Sequence, residues 1–111
     1  MKFNIVRSKF IEGLKSVQNV VAGKGSLPIL QNVMIEAKDG KIELTTTDLD
    51  LSIRSMVEGE IKENGGSTLP VKLLSNLILK APEGEVEVEV NANEQDVIRA
   101  GSAVYKLNGK P

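Results

Sequence analysis

The sequence predicts a small α+β domain made of two similar halves, and three observations point to this fold class. Each half reads as one strand, one helix and three further strands, which is the pattern of an internal duplication. The chain has 111 residues, enough for one domain over 1–111, and 41% of them are apolar, so a buried core is expected. We therefore expect two βαβββ repeats, with two adjacent helices on one face of antiparallel sheets.

The first half opens with a strand over 2–6 and a helix over about 8–22. Ser8 is a candidate N-cap, and Gly23 follows where a helix would stop. Gly13 inside the helix either marks a close approach or has no role. The apolar residues of this helix recur at helical spacing, and they are Phe10, Ile11, Leu14, Val17, Val20 and Val21.

Three strands complete the first half after a loop over 23–28. Asp39-Gly40 is a strong signal for a two-residue hairpin turn between the first two of them. Asn64-Gly65-Gly66 reads as the turn that ends this half. The three strands are expected over 29–37, 41–46 and 48–62.

The second half repeats the same order. Pro70 suits the first turn of a helix over 71–80, and the segment 81–84 ends that helix. A last hairpin turns at Gly101. The strands of this half are expected over 67–69, 85–90, 96–100 and 102–107, and the second of them alternates Glu with Val, as a half-buried strand does.

The helical segments are basic, whereas the rest of the chain is acidic. Residues 8–25 and 71–81 hold five lysines and one glutamate, a net charge of +4, and the remaining residues have a net charge of −5. A surface that faces a phosphate backbone needs this polarity, but lysines are also common in ordinary helices. Charge alone leaves both interpretations open. The five lysines are Lys9, Lys15, Lys24, Lys72 and Lys80.

The second helix has more apolar surface than one buried face requires. Leu73 and Leu79 lie outside its apolar face. They indicate either a wider contact with the core or a contact with another domain or subunit. The apolar face itself consists of Val71, Leu74, Leu77 and Ile78.

The composition removes most kinds of chemistry. The chain has no Cys and no His, so it lacks a thiol nucleophile, the commonest general base and the usual transition-metal ligands. We expect no catalytic residue, no metal, no cofactor and no enzymatic activity. No stretch approaches the ~20 apolar residues of a membrane span, and the first residues do not read as a signal peptide. A cytoplasmic protein without a membrane partner is the expectation.

Two motifs that suggest chemistry are rejected. The segment 23–26 resembles a phosphate-binding loop, but its lysine precedes the second glycine and the loop follows a helix. An acidic run over 83–96, which includes Asp96, could supply paired carboxylates for a small hydrolase. Because Glu85, Glu87 and Glu89 alternate with valines, a solvated strand face is the favoured interpretation.

An ordered set of segments resembles the first domain of the bacterial DNA sliding clamp, the beta subunit of the replicative polymerase III. The resemblance covers the whole chain, and its specificity lies in the order of the segments rather than in any single one. The segments are 1–3, 26–30, 45–50, 68–72, 82–84 and 99–107.

The resemblance implies a role in DNA replication as a processivity factor. In that family three such domains form a protomer, and two protomers close head to tail into a ring around duplex DNA. Helices line the inside of the ring, strands continue across domain boundaries, and the contacts to DNA are made to its backbone. The ring tethers the polymerase, and no sequence preference is expected.

The resemblance also implies roles for particular residues. Lys24 matches a loop position that is often basic near DNA, and Lys72 matches a basic position at the start of the second inner helix. Lys9, Lys15 and Lys80 are added from their helical placement alone. The last strand matches the edge that pairs with the other protomer. With the adjoining helix, the residues expected at that edge are Ser102, Val104, Tyr105, Lys106, Leu107, Leu73 and Leu77.

The family sequence continues into a second domain beyond the position of Pro111. We therefore expect this chain to be an excised domain or a fragment, and we expect the pocket for polymerase and clamp-loader peptides to lie in domains absent here. The alternative function is an unrelated interaction module that binds a protein through the C-terminal hairpin and the second helix. Such a module would show no symmetry between the two halves.

Overall fold

The computed structural model describes residues 1–21, 32–48, 51–91, 93 and 95–108. Within these residues the chain forms two helices and nine strands, which confirms the predicted α+β class. The loop predicted over 23–28 and the start of the strand predicted at residue 29 lie outside the described residues. In chain order the elements are β1 (Lys2–Val6), α1 (Arg7–Val21), β2 (Asn32–Lys38), β3 (Lys41–Asp48), β4 (Leu51–Val57), β5 (Glu60–Glu63), β6 (Gly65–Pro70), α2 (Val71–Lys80), β7 (Glu85–Val90), β8 (Gln95–Ala100) and β9 (Ala103–Asn108).

The described strands form two antiparallel sheets that interlock the two halves of the chain. One sheet has the order β5-β1-β7-β8-β9 and the other has the order β4-β3-β2-β6. The first strand of each half pairs with the second strand of the other half, so β1 lies beside β7 and β6 lies beside β2. The strands β1-β7-β8-β9 therefore correspond to β6-β2-β3-β4, which confirms the predicted duplication. β5 is an additional strand at one edge.

The single long strand predicted over 48–62 is wrong, because the structure has two strands there in different sheets. β4 ends at Val57 in the four-stranded sheet, and β5 begins at Glu60 beside β1. The chain changes sheets at Gly59, where an added Cβ would lie 2.6 Å from the carbonyl oxygen of Asn4. A residue with a side chain does not fit at this crossing without displacing backbone.

Two further boundaries differ from the prediction. α1 begins at Arg7, directly after β1, so Ser8 lies inside the helix and is not its N-cap. Gly65 and Gly66 are not a turn, because they belong to β6 and pair with β2. The neighbouring strand supplies backbone hydrogen bonds that hold these glycines extended, and Asn64 alone connects β5 to β6.

The core is aliphatic apart from two aromatic rings. Phe3 and Phe10 are fully buried, and their ring centroids lie 6.3 Å apart in an edge-to-face arrangement. α1 packs on β3 and β4, where Gly13 faces Leu44 and Val57. A Cβ at Gly13 would overlap the Val57 side chain, so the glycine marks a close approach between helix and sheet.

One carboxylate lies between the two sheets. Asp96 on β8 is fully buried, which corrects the solvated position that the acidic run suggested. The Ser67 hydroxyl on β6 donates a hydrogen bond to Asp96 Oδ2 at 2.8 Å, and Oδ1 has no partner among the described residues. Burial raises the pKa of Asp96, and the bond from Ser67 offsets part of that rise.

Replacing Asp96 with asparagine should stabilise the domain at neutral pH. The pKa of Asp96 in the folded state lies above its ordinary value of 3.8. The protonated carboxyl therefore contributes its full stabilisation below pH 3.8, and this contribution is lost as the pH rises through the pKa of the folded state. We expect Asp96→Asn to raise the free energy of unfolding by about 1 kcal/mol at pH 7, because a neutral amide avoids the burial cost that disfavours the charged form of this carboxyl.

Urea unfolding of both proteins between about pH 4 and pH 8 measures this difference, which should shrink towards the acidic end. Glu83→Gln provides a control, because it removes one carboxylate from an exposed position and leaves the interior unaltered. An asparagine variant that is less stable at pH 7, or a difference that does not vary with pH, would contradict the prediction.

Candidate nucleic-acid interface

The two helices lie side by side and run in opposite directions. Arg7 at the start of α1 contacts the last turn of α2, through the carbonyl oxygens of Ile78 and Leu79. Nearer the end of α1, Gln18 Oε1 accepts a hydrogen bond from Ser75 Oγ at 3.0 Å. This arrangement confirms the prediction of two adjacent helices, and it creates one continuous helical surface.

A shallow groove of about 280 Å³ separates the helices on their exposed side. Lys15 from α1 and Asn76 from α2 line it, and both side chains are exposed. Leu79, which lies outside the buried face of α2, also lines the groove and is 49% exposed. Its apolar surface therefore faces the groove between the helices and not a wider core.

Three of the predicted lysines are exposed on this helical surface. Lys15, Lys72 and Lys80 make no ion pair with the residues that the structure describes. Lys9 differs from them, because its Nζ lies 3.1 Å from Glu58 Oε2, just beyond the end of β4. Lys24, the loop position predicted from the family, lies outside the described residues.

The outer face of the five-stranded sheet presents acidic residues that are partly neutralised. Arg99 on β8 donates hydrogen bonds to Glu87 at 2.7 Å and to Glu89 at 2.8 Å on the neighbouring β7. The bond from Arg99 holds the pKa of Glu89 below its ordinary value. Lys62 on β5 also lies 3.8 Å from Glu87. The carboxylates are thus paired across the strands, as a structural surface requires.

The residues predicted at the C-terminal edge divide into two sets. Val104 and Lys106 on β9 are exposed, with Val104 at 55%, whereas Tyr105 and Leu107 are half-buried and pack against the core. β9 is the last strand of its sheet, so one of its edges has no partner within the described residues. Ser102 was predicted in this strand but lies in the turn before it, because the strand begins at Ala103.

The two predicted leucines of α2 lie on the side of the helix away from α1. Successive residues of a helix are rotated by about 100° about its axis. Ser75 and Leu79 lie on the side of α2 that faces α1, so Leu73 and Leu77 lie roughly on the opposite side. Leu73 is 44% exposed and Leu77 is half-buried.

Arg7 is the residue of this surface that sequence reasoning missed. The predicted helix began at Ser8, which left Arg7 outside it. Its hydrogen-bond acceptors are backbone carbonyls more than seventy positions away in the chain, at separations of 71 and 72 residues. Carbonyl acceptors have no signature in a sequence, so the pattern offers no signal for this contact.

The sequence and the fold match one group of proteins. The family model described as "DNA polymerase III beta subunit, N-terminal domain" matches residues 1–111. The beta sliding clamp of Chlamydia muridarum is 36% identical over 107 residues, a span that covers 96% of this chain and 29% of that protein.

Solved structures give the same result. A sliding clamp, DNA polymerase III subunit beta, from Bartonella birtlesii superposes with a TM-score of 0.89 at 33% identity, covering 100% of this chain and 30% of that one. The Bacillus subtilis DNA polymerase sliding clamp gives 0.88 at 31% identity, covering 98% and 31%. The chain therefore spans about three tenths of the length of the relatives that it matches.

Proposed function

Because the chain belongs to the family of DNA polymerase III beta subunit N-terminal domains, we propose that it contributes one domain to a sliding clamp. Such a ring encircles duplex DNA and tethers the replicative polymerase in the cytoplasm, and the domain acts in it as a non-catalytic accessory. The family match over residues 1–111 carries this proposal. The correspondence between the two halves supports it against an unrelated interaction module.

The proposed contact with DNA is made by the helical surface. Lys15, Lys72 and Lys80 can approach phosphate groups without first breaking an ion pair to a described residue. Lys24 is proposed to join them from the adjoining loop. Lys9 contributes less in this scheme, because Glu58 already neutralises part of its charge. Contacts of this kind read the backbone and not the bases, so binding is weak and independent of sequence.

The proposed contact with a second protomer is made by the free edge of β9. Val104 and Lys106 are exposed side chains of that strand, and Leu73 on α2 is a further exposed apolar side chain. An unpaired strand edge suits strand addition by another clamp domain. Polymerase and clamp loader are proposed to bind parts of the clamp other than this domain.

Salt dependence of DNA binding tests the proposed function. We expect the isolated chain to bind short duplexes weakly, with an affinity that falls steeply as salt rises. Replacing Lys15, Lys72 and Lys80 together with alanine should reduce the slope of log K against log salt by about 2 to 3, because each phosphate contact contributes about 0.9. Chemical-shift changes in the protein, recorded at several salt concentrations, measure affinities in this weak range.

A matched control separates this surface from net charge. The triple variant with alanine at Lys38, Lys41 and Lys106 removes the same charge from exposed strand positions, and its slope should stay close to that of the unaltered chain. Equal loss in both variants, or a preference for one DNA sequence at fixed salt, would count against the proposal.

A further inference from the structure

The C-terminal end of α2 has carbonyl groups that the helix itself does not satisfy. The last four carbonyls of an α-helix have no amide partner one turn further on. The chain leaves α2 at Ala81, whose amide donates to the Ile78 carbonyl at 3.2 Å. The next residue, Pro82, has no N–H to donate. Pro82 lies one turn beyond Ile78, and no backbone N–H of the described residues donates to the Leu79 carbonyl, so both carbonyls can accept a hydrogen bond from a side chain.

Arg7 supplies this donor. Its Nη2 donates to the Leu79 carbonyl at 2.7 Å and its Nε donates to the Ile78 carbonyl at 3.0 Å. Its backbone N–H also donates to the Gly84 carbonyl at 2.8 Å, beyond the end of α2. The guanidinium binds two successive carbonyls at the negative end of the helix dipole, and the planar fork of arginine suits this geometry better than a lysine ammonium.

We propose that Arg7 is a positioning residue that sets the orientation of α2 relative to α1. α1 follows β1 without a connecting residue, so the backbone of Arg7 directly continues a strand of the five-stranded sheet while its side chain binds the end of α2. The bond between Gln18 and Ser75 joins the helices at a second point. Two separated polar contacts restrict the angle between packed helices more than one contact does.

This orientation determines how far Lys15 on α1 lies from Lys72 and Lys80 on α2. The importance of these distances for DNA binding rests on the proposed function. Arg7 is a cationic residue of α1, yet its guanidinium is bound to carbonyl oxygens. Arg7 therefore arranges the lysines and does not itself contact phosphate.

Residual dipolar couplings of backbone amides measure the angle between the helices. Arg7→Met keeps a long side chain and removes the donors, and Arg7→Lys keeps the charge and removes the fork. We expect both variants to change the angle between α1 and α2, and the amide of Ala81 to exchange about tenfold faster. Couplings within each sheet should stay unchanged, which verifies that the variants fold. Lys9→Met, which removes a cation from the same turn of α1, should leave the angle unchanged. An unaltered angle in Arg7→Met overturns the proposal.

DNA titration separates this inference from the proposed function. Arg7→Met should bind DNA more weakly but with the same salt slope, because no phosphate contact is removed. A slope lower by about 1 would show that Arg7 contacts phosphate directly and would also overturn the inference. If the unaltered chain fails to bind DNA, the proposed function fails, and the couplings still decide the role of Arg7.

Discussion

Replacement of Phe10 with alanine should lower the free energy of unfolding by about 4 kcal/mol, the largest effect that we expect from a single substitution here. Phe10 is fully buried where α1 meets the core, and its ring packs edge-to-face on Phe3. The chain has only two Phe, one Tyr and no Trp, so no other large ring is placed to fill the cavity. Urea unfolding followed by circular dichroism measures the loss.

Two further variants show whether the cavity is responsible. Phe10→Leu retains most of the buried volume and should cost less than half as much. Glu12→Ala, at an exposed position of the same helix, should change stability by no more than about 0.5 kcal/mol. A decrease of less than about 2 kcal/mol in the free energy of unfolding of Phe10→Ala would contradict the prediction, because it would mean that the core is not tightly packed around this ring.

Gly59→Ala should destabilise the domain by about 3 kcal/mol, which is a large effect for one added methyl group. The new Cβ would lie 2.6 Å from the carbonyl oxygen of Asn4 and 2.6 Å from Ile42 Cδ1. Ile42 can adjust its rotamer, but Asn4 is held in β1 by pairing with β5 and β7. We expect the segment around Gly59, where the chain passes from one sheet to the other, to be displaced. The backbone amides of β5 should then exchange faster with solvent.

The neighbouring position supplies the control for this substitution. Glu60→Ala alters an exposed side chain in the same segment and should stay within about 0.5 kcal/mol of the unaltered chain. Unfolding of Gly59→Ala at the same urea concentration as the unaltered chain would show that the close approach at this crossing has no energetic importance.

The sequence predicts those elements whose boundaries depend on local chemistry. α2 has the predicted bounds of 71–80, because Pro70 stands at its N-cap and an apolar stripe defines its length. β7 has the predicted bounds of 85–90, because Glu and Val alternate throughout. The strand-helix-strand order of the two halves is an equally local pattern, and it is found in the structure.

The features that escaped prediction depend on contacts between distant parts of the chain. Ile53, Val57 and Ile61 would lie on one face of a single strand, so the pattern does not show that Gly59 separates two sheets. Asp96 follows a run of solvated glutamates, and its burial depends on Ser67 in the other sheet. In the candidate interface, the pairing of Lys9 with Glu58 could not be predicted from the sequence, because the two residues lie 49 positions apart.

The exchange of first strands between the halves has a consequence for how the molecule forms during translation. Asn4 in β1 bonds to Glu85 in β7, 81 positions later in the chain. β1 therefore leaves the ribosome long before its central neighbour β7 has been synthesised, and the first half lacks a strand that only the second half can provide. Contacts of such sequence separation make folding slower and keep early segments exposed. We therefore expect the duplicated halves to acquire their structure as one cooperative unit only after β7 has been synthesised, so that neither half is an independent folding module.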